Sequence, residues 1–121
     1  MTVRTWDLPI RADWHRATEL RSLTFGREGL SLRLLEEDTG KEWRLHFPEV
    51  HAFKCTTEES AASVLGSLPV TGAFYEILDS AWLPQLGLGK RECMSQSKHY
   101  VITCYDEVIE IVATHYTIEA V

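Results

Sequence analysis

Between Leu30 and Phe47 the chain alternates with a period of two, and this pattern restricts the possible folds more than any other feature of the sequence. Leu30, Leu32 and Leu34 are interleaved with Ser31, Arg33 and Leu35. After the polar run Glu36-Glu37-Asp38-Thr39-Gly40, Trp43, Leu45 and Phe47 are interleaved with Glu42, Arg44 and His46. Successive side chains of a strand point to opposite faces, so each run describes a strand with one buried face, and the polar run between them predicts an antiparallel hairpin. Pro48 has no amide to give to a ladder and interrupts the second run. Val50 to Cys55 then resumes an extended pattern, predicted as the next strand of a meander.

Upstream, Leu20 to Phe25 suits a preceding strand, with a turn over Gly26-Arg27-Glu28-Gly29. Trp14, Ala17 and Arg21 also fit helical spacing, so residues 13–25 read equally as helix or strand. Thr56-Thr57-Glu58-Glu59 carries the pattern of a capping box, with Thr56 as cap and Glu59 reaching back, ahead of a short helix over Thr57 to Leu65 that Gly66 stops. Ala73 to Leu78 reads as a short strand or extended link. Asp79 or Ser80 can cap a single turn through Ala81 to Leu86, which Gly87 and Gly89 end. Lys90 to Lys98 reads as an exposed connection. His99 to Tyr105 and Val108 to Ala113, rich in β-branched and aromatic residues around Asp106-Glu107, predict a second hairpin, and Tyr116-Thr117-Ile118 extends the last strand or ties down the terminus.

The expected architecture is one α+β domain over residues 1–121, predominantly antiparallel β-sheet, a meander plus a C-terminal hairpin with one or two short helices. A length of 121 residues with 45% hydrophobic side chains suits one core and is short for two. The start of the chain lacks the basic and apolar run of a signal peptide, and no apolar stretch is long enough to cross a bilayer, so the cytoplasm is the expected location. Cys55, Cys93 and Cys104 are odd in number and widely spaced, which predicts free, buried thiols and no disulfide framework.

Net charge is −6, and its distribution is uneven. Residues 1–54 hold nine basic and nine acidic side chains, whereas residues 55–121 hold only Lys90, Arg91 and Lys98 against nine acids. A surface of that kind repels phosphate backbones, so nucleic acid is not an expected partner.

Several residue groups invite a chemical reading. His46, Glu49 and His51 offer zinc-type donors, but Pro48 breaks the segment and no further ligand follows at a defined spacing. Cys93, His99 and Cys104, with Asp106 nearby, suggest a thiol enzyme, yet a reactive thiolate needs an electropositive setting and this half is acidic. Asp106, Glu107 and Glu110 suit a turn and a strand exterior as well as an acid–base pair. Phosphate-loop, dinucleotide and nucleophile-elbow patterns are absent, so no cofactor site, metal site or enzymatic activity is expected. Of the four tryptophans, Trp43 fits a buried face, while Trp82, in a short turn, either pins its loop or stands at a partner interface.

The series Phe47, Val50, Ala52-Phe53 and Glu58-Glu59, then Asp79-Ser80-Ala81-Trp82-Leu83, then His99-Tyr100-Val101-Ile102 with Val108-Ile109-Glu110-Ile111-Val112, resembles a group of small bacterial proteins, some of them similar to immunity proteins that neutralise a toxin. The resemblance spans Leu30 to Ile118 and implies a non-enzymatic role. The expectation is an interaction protein whose acidic C-terminal half docks on a basic partner such as a toxin or nuclease domain. Glu58, Glu59, Asp106, Glu107 and Glu110 are its candidate contacts and Trp82 its candidate anchor. The alternatives are a small-molecule or metal-binding domain with weak hydrolytic activity, using the His46/His51 or Cys93/His99 region, and a homodimer closed through an unpaired sheet edge.

Overall fold

The computed structural model describes residues 1–87 and 96–121. Nine strands are found among them: β1 (Val3–Thr5), β2 (Thr18–Gly26), β3 (Gly29–Glu36), β4 (Glu42–Phe47), β5 (Val50–Thr57), β6 (Phe74–Ile77), β7 (Lys98–Thr103), β8 (Glu107–Ala113) and β9 (Thr117–Ala120). They form two antiparallel sheets, in the orders β1-β6-β7-β8-β5 and β2-β3-β4-β9. Among the described residues, helix is confined to a 3-10 turn (Glu58–Ala61) and two single turns, α1 (Ala62–Leu65) and α2 (Trp82–Gln85). The expected α+β class therefore gives way to a mostly β fold, because the helical pieces are too short to form a layer.

The hairpin read from the alternation is present, with Leu30 opposite Phe47, Leu32 opposite Leu45 and Leu34 opposite Trp43. These residues face the other sheet, whose Phe74, Tyr100, Ile102, Ile109 and Ile111 complete a common core. Trp6, Leu8 and Ile10, in the segment after β1, fill the same space. The Trp6 ring lies 4.3 Å from Tyr100 and 5.0 Å from Tyr116, centroid to centroid.

Residues 18–26 are strand, which settles the ambiguity over 13–25 for that stretch. A bulge between Leu20 and Ser22 lets Leu20 and Leu23 both pack on the core, although an uninterrupted strand would turn them to opposite faces. β5 departs from the expected meander: it crosses to the other sheet and pairs with β8. The crossing is tight at Gly29, whose φ is +103° and where a Cβ would strike the carbonyl oxygens of Phe47 and Pro48. β9 crosses back to pair with β4, so the C-terminus is tied down as a strand.

The capping box is not formed. Thr56 belongs to β5, the cap position is Thr57 with no side-chain capping bond, and the Thr57 hydroxyl bonds Ser60 instead. The first turn is 3-10, which places the helix start one residue later than the motif requires. The 3-10 turn, α1 and the loop through Leu68 cover the outer face of the five-stranded sheet, where Ala61 and Leu68 pack with Tyr75, Ile77, Val101 and Val108. The stop at Gly89 and residues 90–95 of the connection read over 90–98 lie outside the described residues; of the rest, Ser97 is buried and Lys98 already begins β7, so the expected exposed connection ends earlier.

One buried carboxylate organises the β3–β4 turn. Glu36 accepts from the Arg11 amide at 2.8 Å, the Trp43 indole at 2.8 Å and the Thr39 hydroxyl. Its backbone closes the turn with Lys41 and Gly40. Burial pushes its carboxyl pKa up, but the bonds from Thr39, Arg11 and Trp43 outweigh that and leave it below the usual value.

Candidate functional site

The expected contact residues fall in two places. Glu58, Glu59, Asp106 and Glu107 gather at one end of the five-stranded sheet, where the Glu58 amide donates to the Asp106 carbonyl at 2.8 Å and Thr57 stands opposite Glu107. Glu110 lies three residues further along β8, on the opposite face from Glu107 by strand alternation. Trp82 is on that other face too, over β7. The anchor and one acid of the expected surface therefore belong to a different site from the other four acids.

The acidic end has a built shape. A cleft of about 690 Å3 is lined by Arg16, Thr57, Glu58, Glu59, Ala62, Leu65 and Asp106. A second, of about 600 Å3, shares Arg16 and Asp106 and adds Trp14, Ala17, Glu19, Glu37, Asp38 and Tyr105. Trp14 and Tyr105 are 47% and 46% exposed, unusual values for aromatic rings in a domain with this much core. Arg16 holds Glu58 at 2.7 Å and lies over the Tyr105 ring at 5.0 Å. Burial, followed by the like charges of Asp106 and Glu19, pushes the Glu107 carboxyl above its usual range. Glu19, Glu37 and Asp38 come from the first half of the chain, so the negative surface is not a property of the C-terminal half alone. Glu58, for its part, is neutralised by a first-half arginine.

The second place is on the outer face of the five-stranded sheet. His99 on β7 and Glu110 on β8 are 5% and 4% exposed. His99 Nε2 is 2.9 Å from Glu110 Oε1, and its Nδ1 is 2.7 Å from Ser80 Oγ. Ser80 precedes α2 and its Oγ also accepts from the amides of Trp82 at 3.2 Å and Leu83 at 3.4 Å, so it caps that turn as the sequence suggested. The Trp82 ring meets His99 edge-on at 5.3 Å, and the Lys54 ammonium lies 4.6 Å over the indole and 3.4 Å from Glu110. Burial raises the Glu110 pKa, but the His99 hydrogen bond and the Lys54 charge more than offset it, so its net shift is downward. Beside these groups opens a cleft of about 520 Å3, lined also by Met1, Ile77, Asp79 and Gln85. Glu110 is thus no exposed contact: it is buried and paired. Trp82 is partly buried and held by His99 and Lys54.

The other groups singled out in the sequence do not assemble. Cys104 is buried against the core between the sheets, and burial pushes its thiol to about 12, so it supplies no thiolate at neutral pH. Cys55, expected to be buried, is exposed. Cys93 lies outside the described residues. His46 bonds the Ser31 hydroxyl at 2.6 Å on the polar face of the hairpin. Among the described residues no three His, Cys, Asp or Glu side chains are placed to hold a metal ion, and no helix is long and apolar enough to cross a membrane.

Residue-level reading missed Trp14, Arg16 and Tyr105 at the first site and Lys54, together with the Ser80–His99 contact, at the second. No local spacing links Ser80, His99 and Glu110, because the pairing of β7 with β8, not proximity along the chain, brings them together. Comparisons with family models, with curated proteins and with solved structures find no significant match, so the functional reading rests on geometry.

Proposed function

We propose that this chain is an interaction protein that docks on a basic polypeptide, an immunity-type partner of a cationic toxin domain, through the acidic end of the five-stranded sheet. The observation that carries the reading is the pair of exposed rings, Trp14 and Tyr105, set among Glu19, Glu37, Asp38, Glu59, Asp106 and Glu107. Aromatic side chains surrounded by a polar rim are the usual anchors of protein interfaces. A rim of one sign speeds encounter with a partner of the other and repels nucleic acid. Arg16 is held by Glu58 and lies over the Tyr105 ring, which keeps its charge beside a carboxylate and a ring face. Docking asks no bond-making chemistry of this end. Glu110 and Trp82 leave the contact set, and Trp14 and Tyr105 replace Trp82 as anchors.

The test is titration with poly-lysine, followed by any basic domain encoded beside this gene, read by tryptophan fluorescence and calorimetry. Affinity should fall steeply with salt, and Asp106→Lys with Glu59→Lys should weaken binding by about tenfold or more, since like charges across an interface are costly. Tyr105→Ala should weaken the protein partner by a comparable factor. Glu119→Lys, on the polar face of the other sheet, should change nothing. Equal losses at Glu119 and Asp106, or none at either, would remove the premise.

A further inference from the structure

The hydrogen bonds around His99 have a direction. An ionised carboxylate only accepts, so Nε2–H donates to Glu110, and the tautomer this selects presents a lone pair on Nδ1. That lone pair faces the Ser80 hydroxyl at 2.7 Å. Nucleophile, base and an orienting carboxylate are therefore in contact in that order, with the two ring nitrogens used in the sense opposite to the familiar serine hydrolases. The carboxylate and imidazole are shielded from solvent, while the Ser80 side chain is only partly buried and lines the cleft of about 520 Å3. Two amides, of Trp82 and Leu83, also donate to this Oγ at 3.2 and 3.4 Å, long bonds that must loosen to free a lone pair for attack. The cleft is lined by Trp82, Ile77 and Met1 together with the polar Lys54, Asp79 and Gln85, which offers both apolar and polar contact to a small acyl group.

We propose that Ser80 is a nucleophilic serine, with His99 as its general base and Glu110 as the positioning residue, acting on small carboxylic esters. Ser80 Oγ attacks the carbonyl carbon, its proton passes to Nδ1, and the carbonyl pair moves onto oxygen. Collapse of the tetrahedral adduct breaks the ester C–O bond, and the departing alkoxide takes the proton from Nδ1. Water then repeats the sequence on the acyl-serine, giving its proton to Nδ1. The carboxylic acid is released and Ser80 regains its hydrogen. The site is separate from the docking surface, and either reading can fail alone.

The full chain is treated with a small alkyl fluorophosphonate and with p-nitrophenyl acetate, and adducts are mapped by peptide mass spectrometry. One adduct on Ser80 is expected in the folded protein and none in the urea-unfolded chain. His99→Gln should slow the labelling by at least about 100-fold, the low end of what a positioned general base supplies. Glu110→Gln should move the pH profile of labelling, which a merely structural carboxylate would leave in place. Ser80→Cys should give a thiol alkylated by iodoacetamide faster than Cys55 of the same chain, a readout available even if His99→Gln does not fold. Glu119→Lys, on the other sheet, should label like the parent. Absence of a Ser80 adduct on the folded chain, or equal labelling of folded and unfolded protein, would overturn the proposal and leave Ser80 as a helix cap.

Discussion

Substituting Glu36 tests whether one buried carboxylate sets the shape of the acidic end. Its side chain joins the Arg11 amide, the Trp43 indole and the Thr39 hydroxyl, and the turn it closes carries Glu37 and Asp38 into the second cleft. Glu36→Gln keeps an acceptor oxygen for the two N–H donors, and the Thr39 hydroxyl can rotate to accept from the new amide. What is lost is charge assistance, about 0.5–1 kcal/mol for each of the two N–H bonds, hence about 1–2 kcal/mol in total. Glu36→Ala removes every partner and leaves a buried indole N–H unpaired, which raises the expected loss to about 3–5 kcal/mol. Urea unfolding at pH 7 measures both, and for a chain of this size each kcal/mol corresponds to roughly 4 °C in melting temperature. The pH dependence has a fixed sign. The folded-state pKa of Glu36 is depressed, so its contribution is fully present above the unfolded value of 4.5 and is lost as pH falls through the folded value. Stability of the parent should therefore drop on acidification below about pH 4.5 more steeply than that of Glu36→Gln. Equal acid slopes in the two proteins, or an alanine variant as stable as the glutamine one, would refute the argument.

Gly29→Ala, which forces a side chain onto a positive φ against two carbonyl oxygens, should cost more than about 2 kcal/mol or prevent folding, measured by chemical denaturation. Leu45→Ala, fully buried between the sheets, should cost about 2–5 kcal/mol in the same assay. Arg16→Ala should leave the melting temperature nearly unchanged but tighten poly-lysine binding, because it frees Glu58 and removes a like charge from both clefts. Thiol labelling followed by peptide mapping should modify Cys55 in the folded protein and Cys104 only on unfolding.

The hairpin Leu30 to Phe47 and the pair of strands around Asp106 were legible because each shows its periodicity without interruption and is closed by a local turn. β2 was ambiguous because Trp14, Ala17 and Arg21 ahead of and inside it suit helical spacing, whereas the strand's own bulge, which puts Leu20 and Leu23 on one face, blurs the period of two that would have identified it. β5 has the same device between Val50 and Ala52, so that Val50 and Phe53 both reach the core. Its change of sheet is invisible to periodicity, which reports that a strand has a buried face but not which partner covers it. β1 was missed since three residues are too few to show any period, although Trp6, Leu8 and Ile10 beyond it alternate as a core-filling segment should.

Charge counting along the chain located the acids but not their grouping, because three-dimensional proximity here is set by strand pairing. β2 and the β3–β4 turn bring Glu19, Glu37 and Asp38 to the loop that carries Asp106, while an odd spacing of three along β8 turns Glu110 to the face opposite Glu107, where it is buried. The same alternation creates the second site. Val101 on β7 stands opposite Glu110 on β8, so His99, two positions away on the same face, meets Glu110 diagonally, and α2 lays Ser80 and Trp82 over the pair. A carboxylate on that face would have to be exposed or paired, and the imidazole pairs it. Having used its Nε2 on the carboxylate, the imidazole must find a partner for Nδ1 in a dry setting, and the hydroxyl that caps α2 is the group within reach. The geometry that satisfies a buried histidine and the geometry that activates a serine are here the same two hydrogen bonds. What separates them is whether an electrophile can reach Ser80 Oγ, and the partly buried serine lining its cleft leaves that approach open.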